Sequence, residues 1–203
     1  MSAPLRRNSR AELDRLLGEM IARPHAEAEI AGEIDRQFGE DRAVMVLDMS
    51  GFSRTTQRRG ITAFLLMIHQ MKTIAEPVVR GHGGLVVKAE ADNLFCLFAG
   101  AREAVAAARD IVERLDSVNL LLPEERRLHA SIGIGQGRIL NIDEDDLYGD
   151  EVNLASKLGE DIAGRGAILL TEAARAAAEA AGIATRPQSA SVSGLTLTYY
   201  ALA

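Results

Sequence analysis

The feature that most constrains this chain is the order in which its hydrophobic periodicity switches between two and 3.6 residues. A continuous apolar run, Ala43-Val44-Met45-Val46-Leu47, reads as a buried strand within Arg42 to Met49. Ser50-Gly51-Phe52 breaks it. Ile61, Phe64, Ile68, Met71, Ala75 and Val78 then alternate spacings of three and four, which places them on one face of a helix over about Thr55 to Arg80. His82-Gly83-Gly84 stops that helix. Leu85 to Lys88 and Leu94 to Phe98 are two short strands, and the brief link Ala89 to Asn93 makes them a hairpin. A second helix follows Gly100, with Val105, Ala108, Ile111 or Val112, and Leu115 inward.

Leu128 to Ile139 is a long strand carrying Gly133, Gly135 and Gly137 at alternate positions. Side chains alternate across a strand, so one face of it is nearly bare and expects another backbone or a ligand close by. Beyond the acidic loop Asp143 to Asp146, Val152 to Leu158 reads as a helix and Ala167 to Leu170 as a strand. Thr171 caps an alanine-rich helix reaching Ala181, and Ser189 to Ala203 is predicted to end the chain as an edge strand. Ahead of all this, Leu13, Leu16, Leu17, Met20 and Ile21 form one helical stripe. Pro24 interrupts it, and Ile30, Ile34 and Phe38 form another. The expectation is an N-terminal helical extension over residues 1–40 and a main domain over 41–203, the two helices packing on that domain or on a partner chain. The fold class is α/β (α+β): a ferredoxin-like βαββαβ core with an αβαβ C-terminal extension. That architecture hosts many functions and does not choose one.

Composition narrows the chemistry. The formal net charge of −6 argues against a general nucleic-acid surface, which needs clustered Lys and Arg, but permits a nucleotide whose phosphates a metal screens. With one cysteine, Cys96, no internal disulfide can form, and its apolar setting reads as a small core residue. His25, His69, His82 and His129 have no zinc spacing and acquire no role. Arg6, Arg7 and Arg10 are followed by no apolar stretch of the secretory kind, and no run is long enough to span a bilayer, so a cytoplasmic location without membrane contact is expected.

Three segments carry chemistry. Asp48 closes an apolar strand and is followed by the small-residue turn Ser50-Gly51-Phe52, whose backbone N–H groups can face a phosphate. Alone, it could equally be a helix-capping aspartate. Lys88-Ala89-Glu90-Ala91-Asp92 places a lysine and a second carboxylate in the hairpin, which alone is an ordinary polar turn. Carboxylates on neighbouring strands suit Mg²⁺ or Mn²⁺, hard cations that take oxygen ligands. Asp146-Leu147-Tyr148-Gly149-Asp150-Glu151-Val152-Asn153-Leu154-Ala155-Ser156-Lys157 runs from a loop into a helix that puts Asn153 and Lys157, four apart, on one face.

Taken together and in this order, these segments resemble the catalytic domains of class III adenylate and guanylate cyclases, over about residues 42–201. The resemblance implies an enzyme that turns a nucleoside triphosphate into a 3′,5′-cyclic nucleotide and pyrophosphate. Its sites would lie at a homodimer interface, metals held by one subunit and base and ribose read by the other, with two Mg²⁺ or Mn²⁺ ions per site. Asp48 and Asp92, with Met49 beside the first, correspond to the metal set. Lys88 and Asp146 correspond to the pair that reads the base edge, with Ser50, Gly51, Phe52 and Tyr148 completing the substrate surface. Asn153 corresponds to the residue that orients the ribose, and Lys157 to the cation that stabilises the transition state. Two positions depart from the family: its usual glycine before the second aspartate is Ala91, and its usual arginine is Lys157, which keeps charge but loses the planar fork.

The base is left open. A Lys and Asp pair goes with adenine in the family and implies ATP. The same donor and acceptor also match a uracil edge, Lys88 to O4 and Asp146 to N3–H. No sensory or receiver domain accompanies the pattern, which resembles the stand-alone pyrimidine cyclases of bacterial antiphage systems, whose cyclic UMP or cyclic CMP is read by a separate effector protein. The methyl of Ala91 and the ring of Tyr148 would narrow the base pocket in the same direction. A diguanylate cyclase is disfavoured because Ala89-Glu90-Ala91-Asp92-Asn93 lacks the Gly-Gly-Asp/Glu-Glu-Phe turn. A catalytically inactive nucleotide-binding or dimerisation module is the alternative from another class.

Overall fold

The computed structural model describes residues 8–49, 60–192 and 195–202. Strands β1 (Gly39–Met49), β2 (Leu85–Glu90), β3 (Asn93–Phe98) and β4 (Ala130–Ile142) form the antiparallel sheet order β2-β3-β1-β4. Helices α3 (Ile61–Gly81) and α4 (Ala101–Asn119) make the two crossovers, so the expected ferredoxin-like core is present. The sheet continues through β6 (Ile168–Leu170), parallel to β4, then β8 (Leu195–Leu202) and β7 (Thr185–Val192). The short β5 (Asp146–Tyr148) pairs with β4 off the main path.

Alternation along β1 divides the molecule. Ala43, Met45, Leu47 and Met49 enter one core, shared with Met67, Met71 and Val78 of α3 and Ile111 and Leu115 of α4. Ala174 and Ala178 of α6 (Glu172–Ala180) complete that side, and the Thr171 side chain caps α6 by accepting from the Ala174 N–H, as expected. Val44 and Val46 face the other side, with Phe95, Leu97, Val152 and Ala155. There α5 (Asp150–Lys157) lies across the bare face of β4. A Cβ added at Gly133 would sit 2.0 Å from the Ala155 carbonyl oxygen, and one at Gly135 would sit 2.5 Å from that of Glu151. The alternating glycines thus admit another backbone, one of the two occupants expected of them.

The N-terminal helices α1 (Arg10–Ala22) and α2 (Glu27–Phe38) pack on the main domain. Leu13, Leu16, Ile30, Ile34 and Phe38 bury together against Ile142 of β4, and Arg138 holds the Asp35 carboxylate at 2.8 and 3.0 Å. Leu17 and Ile21, expected on the same stripe, are instead 44% and 82% exposed, because the edge of α1 that packs on this cluster is Leu13, Leu16 and Met20.

The C-terminal expectation also needs correction. The last strand is not an edge: β8 lies inside, between β6 and β7, and β7 forms the edge. Pro187, which has no N–H to donate, sits on that edge strand. The weak alternation of the segment hid a hairpin of two strands. The part of the first crossover expected over 55–59 lies outside the described residues, and no helix among those described is long and apolar enough to cross a membrane.

Candidate functional site

Asp48 extends the Val44–Val46 row to the end of β1, where it stands in register between Asn93 of β3 and Ser131 of β4. Directly paired residues project to the same face of a sheet, so all three side chains converge. Asp92 follows in the β2–β3 turn, and its carbonyl accepts a hydrogen bond from the Met49 N–H at 3.3 Å, tying the turn to the strand end. The Met49 side chain points away into the core and is 2% exposed, so only its main chain can serve the metal set.

Among the described residues negative charge predominates at this corner, with Lys157 opposing it at Glu160. Burial, then Asp92 and Glu160, push the Asp48 carboxyl up to about 6. Glu160 is also raised, by partial burial and by Asp161, Asp92 and Glu90. It sits on the π-helical turn Leu158–Ile162 that follows α5. The Asn93 side-chain oxygen is buried without a hydrogen-bond partner among the described residues. No cluster of three or more His, Cys, Asp or Glu side chains suited to a metal occurs among the described residues. Among the described residues, what the corner offers is two carboxylates, an orphaned amide oxygen and a predominance of negative charge, a donor set that fits a hard divalent cation.

Lys88 and Asp146 are brought into direct contact from positions 58 residues apart, Nζ to Oδ1 at 2.8 Å. A bulge in β2 arranges this. The pairing skips from Val86↔Cys96 to Lys88↔Phe95, so Val87 and Lys88 share a side that strict alternation would divide. Lys88 Nζ then lies over the Phe95 ring, 4.6 Å from its centroid, and also donates to Glu90 at 2.9 Å. Asp146 accepts from the Tyr148 hydroxyl at 2.6 Å, from the Leu147 N–H at 2.9 Å and from Arg10 of α1. Burial alone would raise the Asp146 carboxyl, but the bonds from Lys88, Tyr148 and Arg10 outweigh it and hold the group far below the usual carboxylate range. For Lys88, the bonds to Asp146 and Glu90 likewise outweigh burial and raise the ammonium.

Helix α5 starts at Gly149, whose φ of 147° belongs to glycine. Glu151 anchors it by accepting from the Gln136 N–H at 3.0 Å and the Thr171 hydroxyl at 2.6 Å. Asn153 is exposed, and Lys157, one turn on, donates to Asp161 at 2.6 Å. Ala91 occupies the β2–β3 turn with φ of 49°, the left-handed region, and is exposed. The departure from glycine there is therefore first a matter of backbone strain. Ser50, Gly51 and Phe52 lie outside the described residues.

Three contributors went unnoticed in the sequence: Arg10, Asn93 and Glu160. Arg10 meets a partner 136 positions away, which no local pattern announces. Glu160 depends on an irregular turn. Asn93 was within reach of inference, because it follows Asp92 and pairs with Asp48. Cys96 is fully buried, as expected, and burial pushes its thiol up.

No protein-family model matches the chain. A Rhizobium meliloti protein named "Putative adenylate cyclase 3" is 30% identical over 130 residues, 64% of this chain and 22% of that protein. The chain spans only about a fifth of the length of the curated relatives it matches. Among solved structures, the catalytic core of a rhodopsin-guanylyl cyclase with converted specificity, in complex with ATPαS, superposes with a TM-score of 0.68 at 18% identity, covering 81% of this chain and 98% of the other. An adenylate/guanylate cyclase/hydrolase from Silicibacter pomeroyi superposes with a TM-score of 0.68 at 24% identity, covering 81% and 95%. The chain has the fold shared by adenylate and guanylate cyclase catalytic domains.

Proposed function

We propose that this chain is a nucleotide cyclase that converts a nucleoside triphosphate, preferentially a pyrimidine one, into its 3′,5′-cyclic monophosphate and pyrophosphate at a homodimer interface. The observation that carries this reading is the division of the site into two chemically opposite corners. Asp48 and Asp92, with the unpartnered Asn93 oxygen beside them, form a negatively charged corner suited to divalent cations, and Lys88 and Asp146 form a preassembled donor–acceptor pair suited to a base edge.

Mg²⁺ or Mn²⁺ bound at Asp48, Asp92 and the Met49 main chain would supply the charge that activates the ribose 3′ hydroxyl and steadies the triphosphate. The 3′ oxygen bonds to the α-phosphorus, its proton passes to solvent, and the bond to the β-phosphate breaks with pyrophosphate taking the electron pair. Asn153 orients the ribose. Lys157, held at Asp161 in the free chain, exchanges that bond for the charge that grows on the α-phosphate. Lys88 and Asp146 read the base, with Tyr148 beside them. Ile61, Leu65 and Leu66 of α3, which are 60%, 56% and 42% exposed, are apolar surface that a second subunit would cover. The cyclic product would act through a separate effector, in the manner of antiphage signalling.

The second reading is an adenylate cyclase, favoured by the name of the Rhizobium relative. Purified protein with Mn²⁺ and ATP, GTP, CTP or UTP in separate reactions, resolved by mass, tests both. Cyclic UMP or cyclic CMP is expected. Cyclic AMP alone transfers the conclusion to the second reading. No product from any nucleotide, with unchanged nucleotide binding by Asp48→Ala, leaves a binding module.

A further inference from the structure

The first turn of α1 is fastened to the base corner. Asn8 donates to the Asn141 carbonyl at 2.8 Å and accepts from the Asp143 N–H at 2.9 Å, and Ser9 caps α1 by accepting from the Glu12 N–H. Next in the chain, Arg10 donates to the Tyr148 hydroxyl at 2.6 Å, bonds Asp146 Oδ2, and lies over the Tyr148 ring at 5.4 Å from its centroid. Arg10 is thus positioned by its neighbours at the carboxylate opposite Lys88, and is no part of a free tail.

Building on the cyclase reading above, we propose that Arg10 is a third base-reading side chain and that Lys88, Asp146 and Arg10 form a donor–acceptor–donor array selective for uracil. The argument starts from the capacity of the carboxylate. An ionised carboxylate has about four acceptor positions. Here Oδ1 receives Lys88 and the Leu147 N–H, and Oδ2 receives Tyr148 and Arg10. A base can bond Asp146 only by displacing a donor. The Leu147 N–H is fixed in β5 and Tyr148 is two residues away on the same strand, whereas Lys88 and Arg10 arrive on long side chains from β2 and α1. Lys88 and Arg10 are therefore the donors able to give way. Lys88 keeps Glu90 and Arg10 keeps the Tyr148 hydroxyl, but the charge-assisted bond to Asp146 that is given up is recovered only where the base offers an acceptor in its place.

Only one common base edge supplies what the exchange requires. Uracil presents O4, N3–H and O2, which are acceptor, donor and acceptor. O4 takes Lys88, N3–H serves Asp146, and O2 takes Arg10. Cytosine sets an amino group against a cation and a bare nitrogen against the carboxylate. Guanine satisfies Lys88 and Asp146 but turns its amino group toward Arg10. Adenine supplies one donor and one acceptor and leaves one of the two cations without an acceptor on the base.

The test is equilibrium binding of α,β-methylene analogues of UTP, CTP, ATP and GTP to the full chain with Mn²⁺, together with KM for the nucleotides turned over. The parent is expected to bind the uridine analogue tightest. Arg10→Ala should weaken that binding by about tenfold or more, as loss of a hydrogen bond to a charged group does, while shifting the adenosine analogue by less than about twofold. Arg10→Lys should recover part of the loss. Arg10 is exposed and alanine is a better helix former, so the variant should fold, which circular dichroism checks. An unchanged uridine-to-adenosine ratio in Arg10→Ala overturns the inference alone. So does a uniform gain for all four analogues, which would make Arg10 a stopper in the pocket. A parent that binds and turns over none of the four overturns the cyclase reading and this inference with it.

Discussion

The two ends of the candidate site spend their polar groups in opposite ways. Around Asp48, burial and neighbouring carboxylates raise the proton affinity of Asp48 and of Glu160, and the Asn93 oxygen has no partner among the described residues. Around Asp146, every acceptor position is filled, and the carboxyl is held far below its ordinary range. Both corners contain aspartate on the rim of the same sheet, so residue type alone does not distinguish them. The charge balance does: the first corner is dominated by carboxylates, and the second pairs its carboxylate with cations whose bonds a base can exchange. In the proposed homodimer the metal corner of one subunit would meet the base corner of its partner, and the asymmetry is what such a two-part site needs, one part recruiting metal and the other discriminating among ligands by which bonds can be replaced.

The sharpest way to break the comparison is to remove the charge from one corner and watch the other. Asp48→Asn keeps shape and deletes one carboxylate. Turnover of the preferred nucleotide should fall by about 10³-fold, as when a major electrostatic stabiliser of a transition state is lost. Discrimination among bases, measured by competition, should survive. Asp146→Asn should do the reverse, flattening base preference while leaving the thermal stabilisation by Mn²⁺ intact. If Asp48→Asn also erased base discrimination, the two corners would be one cooperative unit.

The charge deficit also predicts a pH dependence. Because the Asp48 carboxyl is raised to about 6 in the folded chain from an ordinary 3.8, the native state holds this proton more tightly than the unfolded chain does. Ionising it costs folded stability, so the metal-free protein should lose stability as pH rises from about 4 to 6 and level off above that. Mn²⁺ competes for the same carboxylate. Its increment in melting temperature should therefore be small at pH 5 and larger at pH 7.5, and Asp48→Asn should remove most of that difference. An increment independent of pH in the parent would place the metal elsewhere.

How much of this was legible beforehand follows the same division. Asp48, Lys88 and Asp92 lie at the ends of apolar strand segments, so strand order brought them into view, whereas Asp146 stood in an acidic loop and was singled out only by its place in the motif. The glycine row of β4 announced a close neighbour, which is α5. The parts that escaped are those set by irregularity or distance. The bulge at Val87 aims Lys88 at Asp146 but leaves no period-two signature over so short a strand. The π turn carrying Glu160 looks like the tail of an ordinary helix. Arg10 acts through a contact that only the docking of α1 creates. The C-terminal hairpin was read as one strand because its polar, weakly alternating residues give neither half a distinct pattern.

The smallest expected effect concerns the turn that carries Asp92. Ala91 holds φ of 49° there, and a left-handed backbone costs a residue with a Cβ about 1–2 kcal/mol. Ala91→Gly removes that strain but adds conformational freedom to the unfolded chain, worth about 0.5–1 kcal/mol in the opposite sense. The net gain should be about 1 kcal/mol or less by denaturant titration. What the substitution tests is whether strain helps to hold Asp92 beside Asp48. If the relaxed turn keeps Mn²⁺ affinity unchanged, the metal corner is positioned by strand register and the Met49–Asp92 bond, as the pairing of Asp48 with Asn93 implies. A loss of affinity despite the gain in stability would show instead that the methyl of Ala91 stiffens the turn, and that the metal corner depends on strain the base corner does without.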